Sequence, residues 1–80
     1  MRLGGPVPYD LRSCEEQTLT SVPMYIGLTV AEAERLADQQ SERLRTVHED
    51  GQSFVVTSER QPGRVNLVVV AGKIVQACRE

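Results

Sequence analysis

A polar stretch of eight residues separates two apolar runs in the second half of this chain. The stretch reads TSERQPGR at 57–64, after FVV at 54–56 and before VNLVVV at 65–70. Both runs are typical of strands, and the second is apolar enough for a strand buried on both faces. The polar stretch exceeds the median loop length of about 4–6 residues. It predicts an exposed loop held at both ends by strands, which is where binding functions often lie, although a plain connector is the alternative.

Size and composition limit the chain to one small globular domain. Its 80 residues are 40% hydrophobic and 25% charged, with two Tyr, one Phe and no Trp, so the core has to be aliphatic. A chain of this length buries only about 60% of the surface that its unfolded form exposes. The net charge of −2 gives no electrostatic reason to expect nucleic acid or an anionic membrane as a partner. We expect a monomer.

Two cysteines, Cys14 and Cys78, lie near the two ends of the chain. They form no CxxC motif and no histidine pair accompanies them, so we expect no metal site. The residues alone leave two interpretations open, namely two separate buried thiols or one disulfide. A disulfide closing so long a loop would stabilise the fold by roughly 4 kcal/mol.

The location of the protein is only partly constrained by the sequence. A disulfide would indicate an oxidising compartment, so the cysteine pair favours a secreted or periplasmic protein. The first 24 residues lack the apolar core of a signal peptide, which leaves a cytoplasmic location open. No apolar run reaches the roughly 18 residues that a membrane-spanning helix requires.

Local signals divide the chain into a tail and one domain. Residues 1–13 are rich in Gly and Pro and are predicted to be a flexible tail, followed by a single domain over 14–80. A helix is predicted at about 29–41, because Thr29 and Glu32 form a capping box and apolar residues follow at helical spacing. Strands and turns are predicted after it, at Leu44–His48, Asp50-Gly51, Phe54–Val56, Val65–Val70, Ala71–Lys73 and Ile74–Cys78.

The chain offers no arrangement of residues that predicts catalysis. His48 is the single histidine, and a lone histidine in a strand is more often structural than catalytic. Ser58 lies in no motif that would activate it as a nucleophile, and neither GxSxG nor a phosphate-binding glycine loop is present. We therefore expect a protein that is not an enzyme and that uses no cofactor.

Four short motifs occur in order between residues 25 and 67. They are YIG at 25–27, TVAEA at 29–33, VTSE at 56–59 and RVNL at 64–67. In this order, and with a spacing from Thr57 to Arg64 that matches the family without a gap, they resemble the potato inhibitor I family of serine protease inhibitors. The chain is more similar to the microbial branch of that family, whose single disulfide joins the two ends of the domain. The resemblance covers roughly residues 14–78.

The resemblance implies a fold, a disulfide and a function. The implied fold is α+β, with one helix packed on a small mixed sheet of about three strands and a long exposed binding loop between two parallel strands. The implied disulfide joins Cys14 to Cys78. The implied function is inhibition of a serine protease by the loop Val55–Pro62, which would enter the active site as a substrate does. The loop residues implied to contact the protease are Val55, Val56, Thr57, Ser58, Glu59 and Arg60, with Ser58–Glu59 as the reactive bond.

Two residues of the following strand are expected to support this loop. The planar fork of Arg64 suits it to bond several loop acceptors at once, with Glu59 and Thr57 as the expected partners. Asn66, two residues later on the same face, is expected to provide a second support.

The small side chain of Ser58 limits the target. A deep apolar pocket gains little from serine, because each buried methylene contributes about 0.8 kcal/mol. A subtilisin-like or elastase-like protease, which accepts small residues, is therefore expected. The alternative is a scaffold of the same kind that no longer inhibits and binds another protein through its loop or sheet edge.

Overall fold

The computed structural model describes residues 6–57 and 59–80, and a mixed sheet lies at its centre. The described residues form one α-helix, a short 3-10 turn at Pro23–Tyr25 and seven strands. The helix, α1, is Val30–Gln40, and the strands are β1 (Pro6–Pro8), β2 (Thr20–Ser21), β3 (Arg43–Glu49), β4 (Gln52–Ser53), β5 (Val55–Thr57), β6 (Arg64–Val70) and β7 (Lys73–Arg79).

Five of these strands form the main sheet and two form a separate ribbon. The main sheet has the order β2-β7-β6-β3-β4, in which β3 and β6 are parallel and the other neighbours are antiparallel. The ribbon consists of β1 and β5, which are antiparallel. The expected sheet of about three strands is therefore wrong, because the structure contains considerably more sheet.

The additional strands are short and lie in segments whose sequence does not favour strands. β2 and β4 have two residues each, and β1 contains two prolines. The link between the parallel strands β3 and β6 contains β4, which was not expected, and β5, which overlaps the strand predicted at Phe54–Val56. Residues 6–13, which we assigned to a flexible tail, contribute β1 and the buried Tyr9, whereas residues 1–5 lie outside the described part.

The helix prediction is confirmed. The hydroxyl of Thr29 accepts a hydrogen bond from the Glu32 N–H, and the Glu32 carboxylate accepts one from the Thr29 N–H. This capping box satisfies two main-chain donors that a helix start would otherwise leave free. At the other end Ser41 takes a left-handed conformation with φ of 56°, which ends the helix.

The face of the main sheet that packs on α1, here called the helix face, holds the larger apolar core. Val65, Leu67 and Val69 of β6 point to it and are fully buried against Tyr25 and the alanines of α1. Glu42 lies at its edge, where its carboxylate accepts a hydrogen bond of 2.6 Å from the Tyr25 hydroxyl and pairs with Arg79. Burial opposes ionisation, but these two contacts outweigh it and lower the pKa of Glu42.

The opposite face of the main sheet, here called the loop face, is covered by the β1–β5 ribbon. A small apolar cluster of Tyr9, Val47 and Val68 lies there, with Val56 of β5 packed on it. Cys14 and Cys78 form a disulfide with an S–S distance of 2.06 Å, which ties the segment after β1 to β7. The disulfide is compatible with an extracellular location, and no helix within residues 6–57 and 59–80 is long and apolar enough to cross a membrane.

A tight turn and a bulge set the register between β6 and β7. Ala71 and Gly72 both have positive φ, 51° and 79°, as a two-residue hairpin turn requires, and the predicted turn is confirmed. Val69 pairs with Ile74 but Val68 pairs with Gln76, so Val75 is an extra residue in β7. The bulge shifts every later residue of β7 by one position relative to β6.

Candidate binding site

The predicted binding loop begins as a strand and lies over the loop face. Val55 is 68% exposed, whereas Val56, the next residue of β5, is partly buried on the cluster around Tyr9. The side chains therefore alternate between solvent and the domain, and the cluster fixes the start of the loop. Ser58 lies outside the described residues, so the reactive bond predicted at Ser58–Glu59 is seen only from its Glu59 side.

A side-chain hydrogen bond crosses the predicted reactive position. The Thr57 hydroxyl donates to Glu59 Oε1 over 2.7 Å. This hydrogen bond lowers the pKa of the Glu59 carboxyl, with a smaller contribution from the positive charge of Arg64. Glu59 is exposed and ionised at neutral pH. Its hydrogen bond to Thr57 joins the residue before Ser58 to the residue after it.

Arg64 connects the loop to the sheet. Its side chain is 10% exposed, and Nη2 donates to the main-chain carbonyl of Glu59 over 3.0 Å. We expected Arg64 to bond acceptors of Glu59 and Thr57. The structure shows the Glu59 carbonyl in this role, while the Glu59 carboxylate is bonded to Thr57. Arg64 also donates to Glu80, from Nε to Oε2 at 2.7 Å and from Nη2 to Oε1 at 2.9 Å.

Glu80 is the central acceptor beneath the loop and was not predicted from the sequence. Its side chain is 3% exposed and also accepts from Arg45 Nη2 at 3.2 Å and from the Gln61 N–H at 2.8 Å. Burial raises the pKa of the Glu80 carboxyl, but the hydrogen bonds from Arg64 and the Gln61 N–H outweigh it and lower the pKa overall. One carboxylate thus holds both Arg64 and the far arm of the loop.

The bulge in β7 is what brings Glu80 to Arg64. Without the extra residue Val75, the hairpin register would continue from Val70 opposite Lys73 and would place Arg79 opposite Arg64. With the bulge, the Glu80 N–H donates to the Arg64 carbonyl over 2.9 Å. A one-residue shift therefore replaces a repulsive pair of arginines by an ion pair.

Asn66 supports the loop only indirectly. It is buried on the loop face, and its Oδ1 accepts from Arg45 Nε over 3.0 Å. Arg45 in turn bonds Glu80. We expected Asn66 to contact the loop, but in the structure it orients Arg45, which acts through the Glu80 carboxylate.

Arg60 joins the exposed side of the loop to the segment after the disulfide. Its Nη2 donates to the Gln17 carbonyl over 2.7 Å and its Nη1 to the Thr18 carbonyl over 3.4 Å. These carbonyls belong to the turn that begins at Cys14, so the disulfide holds the acceptors in place. No local sequence pattern indicates this contact, because Arg60 and its acceptors lie more than 40 residues apart in the chain.

A cavity of about 230 Å³ lies between the loop and the domain. Its lining includes Val56 and Glu59 from the loop and Arg45 and Glu80 from the sheet. The middle of the loop is therefore held by side chains that reach across a gap, and not by close packing on an apolar core. Gly63 closes the loop with φ of 83°, a conformation that suits glycine.

Comparison of the sequence with models of known protein families and with curated proteins found no match. Two features bear on function, namely the geometry of the loop and the motifs that resemble potato inhibitor I. These lead to the same segment, residues 55–62.

Proposed function

We propose that this protein inhibits a serine protease by presenting the loop Val55–Pro62 to the active site as a substrate that is cleaved slowly. The observation that supports this most directly is the bond from Arg64 to the main-chain carbonyl of Glu59. It fixes the residue that would follow the reactive bond. The residues in contact with the protease would be those of the implied set, from Val55 to Arg60.

The supports explain why such a loop would resist cleavage. Cutting the bond between Ser58 and Glu59 would release a new amino group on Glu59. Because Arg64 and Glu80 hold the Glu59 carbonyl and the Gln61 N–H, that amino group would stay beside the acyl-enzyme and could attack it to re-form the peptide bond. Rigidity also favours binding, since fewer degrees of freedom are lost when the loop docks.

The small residue at the specificity position sets the target class. Ser58 would gain little in a deep apolar pocket, so a subtilisin-like or elastase-like protease remains the proposed target. The protein would act as a monomer and would not itself be an enzyme. The disulfide supports a secreted or periplasmic location, where such proteases act.

A non-inhibitory binding module is the second candidate function. Phe54, just before the loop, and Val55, its first residue, are exposed large apolar residues, at 37% and 68%. An extended segment of any protein partner could cover them. Such a module would not need the loop to resist cleavage, and this difference separates the two candidates.

The test is a titration of the protein against elastase and subtilisin at stoichiometric concentrations. We expect one equivalent of protein to abolish the activity of at least one of these enzymes, with the loop intact after hours of incubation. Intact mass measurement would detect cleavage between Ser58 and Glu59. Rapid cleavage at that bond with no loss of protease activity would contradict the inhibitor proposal and favour the binding module.

A further inference from the structure

The side chain of Arg60 links the loop to residues 10–21, here called the disulfide segment because it contains Cys14. Its guanidinium donates to the Gln17 carbonyl over 2.7 Å and to the Thr18 carbonyl over 3.4 Å. Within residues 55–57 and 59–62, Arg60 alone is hydrogen-bonded to the disulfide segment. The position of its side chain therefore depends on where that segment lies.

The disulfide segment is fixed at its cysteine. Cys14 is the only buried residue among residues 10–21, all of which the structure describes. Further contacts of the segment with the main sheet include the pairing of β2 with β7 and a hydrogen bond of 2.8 Å from Gln76 Nε2 to the Arg12 carbonyl. Because little apolar surface is buried along the segment, we expect the Cys14–Cys78 bond to determine its position.

The turn that supplies the two carbonyls starts at Cys14 and contains a strained residue. The Leu19 N–H closes the turn by donating to the Cys14 carbonyl over 2.8 Å. Thr18 has φ of 60°, and this left-handed region is unfavourable for a β-branched residue. Such a conformation persists only where the surrounding structure enforces it. When the disulfide is broken, we expect the turn to relax and to withdraw the Gln17 and Thr18 carbonyls from Arg60.

The bond between Arg60 and Gln61 is the one peptide bond of the loop Val55–Pro62 that follows a basic residue. Arg60 is exposed, as a cleavage site has to be. A trypsin-like protease, which cleaves after arginine, recognises the guanidinium through an aspartate in its specificity pocket. A guanidinium bonded to the Gln17 and Thr18 carbonyls cannot enter such a pocket until both hydrogen bonds break.

We infer that Arg60–Gln61 is a latent cleavage site for a trypsin-like protease, which the disulfide keeps closed by holding the carbonyls that bind Arg60. A dithiol would open the site by reducing the Cys14–Cys78 bond to two thiols while itself becoming a disulfide. Hydrolysis would then add one water across the peptide bond, leaving a carboxylate on Arg60 and an amino group on Gln61. This inference goes beyond the proposed function and does not depend on it.

Limited proteolysis by trypsin tests the role of the disulfide. The disulfide-bonded protein is compared with the variant Cys14→Ala/Cys78→Ala, and each sample is reduced after the reaction is stopped so that fragments 1–60 and 61–80 separate for mass measurement. The Lys73–Ile74 bond is the internal reference, because Lys73 is exposed but lies at the end of the β6–β7 hairpin away from the loop.

We expect loss of the disulfide to raise the rate of cleavage after Arg60, relative to that after Lys73, at least about tenfold, the effect of losing two hydrogen bonds from a charged group. An equal rise at both bonds would overturn the inference, because it would show that the disulfide acts only through the stability of the whole domain. Rapid cleavage after Arg60 in the disulfide-bonded protein would overturn it as well.

Arg60→Lys tests the hydrogen bonds while the disulfide is intact. Lysine is also a trypsin site, but its single ammonium nitrogen lacks the planar fork that reaches both carbonyls. Synthetic peptides of residues 55–64 with either residue at position 60 correct for the intrinsic preference of trypsin. After this correction we expect cleavage at position 60 to be at least about threefold faster in Arg60→Lys than in the original protein.

Equal corrected rates would overturn the inference, because they would show that the guanidinium contacts do not protect the bond. This comparison keeps both cysteines, so it decides the matter even where the cysteine variant fails to fold. Failure of the protein to inhibit elastase or subtilisin would contradict the proposed function and leave this inference standing, since cleavage by trypsin reports only whether Arg60 is free.

Discussion

The two faces of the main sheet are held together by different forces. The helix face is an apolar core in which Tyr25 and the β6 residues Val65 and Leu67 are completely buried. The loop face has a much smaller apolar cluster, and beyond it lie Arg64, Arg45 and Glu80, joined by hydrogen bonds. Because β6 alternates, the same strand contributes to both faces.

Because of this difference, one face mainly sets the stability of the domain and the other mainly sets the position of the loop. Apolar burial contributes roughly 25 cal/mol per Å² and has no directional requirement, so the helix face sets most of the free energy of unfolding. Buried ion pairs contribute little net stability because desolvation offsets their attraction, but they require defined geometry. The loop face therefore fixes where the loop lies, at small benefit to stability.

Removing the disulfide should have the largest effect. Cys78 is opposite Asn66 on the loop face, so replacing both cysteines by alanine removes the covalent support of that face alone. We expect the free energy of unfolding to fall by about 4 kcal/mol, since the closed loop is long. Urea denaturation measures the loss, and a change below about 1 kcal/mol would show that the ribbon and Tyr9 hold the segment without the bond.

Neighbouring residues of β6 allow a direct comparison of the two faces. Leu67→Ala empties a fully buried site on the helix face and should cost about 3 kcal/mol, whereas Val68→Ala on the loop face should cost about 1.5 kcal/mol. Val68→Ala should nevertheless weaken protease inhibition more, because Val56 rests on the same cluster. The comparison fails if inhibition by folded Leu67→Ala falls as much as inhibition by Val68→Ala.

If the protein inhibits a protease as proposed, Arg64→Ala should convert it into a substrate. The substitution releases the Glu59 carbonyl and leaves the buried Glu80 with fewer partners, at a cost in stability of about 2 kcal/mol. Arg43→Ala is the matched control, since Arg43 lies opposite Arg64 on β3 but is exposed, and should change stability by less than about 0.5 kcal/mol. The measurement is the rate at which elastase cleaves the loop, monitored by intact mass. Equally slow cleavage of both variants would show that Arg64 does not hold the loop.

Acid should reduce the stability that carboxylates on both faces contribute, whereas inhibition should depend only on the carboxylate of the loop face. The pKa of Glu80 and that of Glu42 both lie below the ordinary value of 4.5. A lowered pKa in the folded state adds stability that is complete above the ordinary value and is lost as the pH falls below it. We expect thermal stability to decline below about pH 4.5 in the original protein, and less steeply in both Glu80→Gln and Glu42→Gln.

Inhibition at pH 7 distinguishes the two carboxylates in these variants. Glu80→Gln should weaken it, because Arg64 and Gln61 lose a charged acceptor, while Glu42→Gln on the helix face should leave it unchanged. Equal loss in both variants would mean that general destabilisation, and not the position of the loop, controls inhibition.

The sequence was sufficient to predict the elements whose stabilising contacts are made by residues close together in the chain. The capping box at Thr29 and Glu32 placed the helix to within one residue at each end, and the turn at Ala71-Gly72 was also predicted. The short strands were missed because each depends on a distant partner. β1 contains two prolines and pairs with residues about 50 positions later, so its own sequence predicted a tail.

The supports of the candidate site were only partly predictable for the same reason. Arg64 was found because it directly follows the loop in a matching motif. Glu80 was missed because its position opposite Arg64 depends on a bulge at Val75, and the simple hairpin register would place Arg79 there. Val75 has no sequence feature that marks it as an extra residue, so only the structure shows which carboxylate holds the loop.

The disulfide also closes residues 14–78 into a covalent ring. Its two cysteines are 64 residues apart in sequence, so nearly the whole domain, including the binding loop, lies between them. A single nick anywhere inside the ring would add one water to the mass without dividing the protein into two pieces. A nicked molecule could therefore keep both new ends in one folded body and be religated, whereas the same nick after reduction would leave two fragments free to diffuse apart.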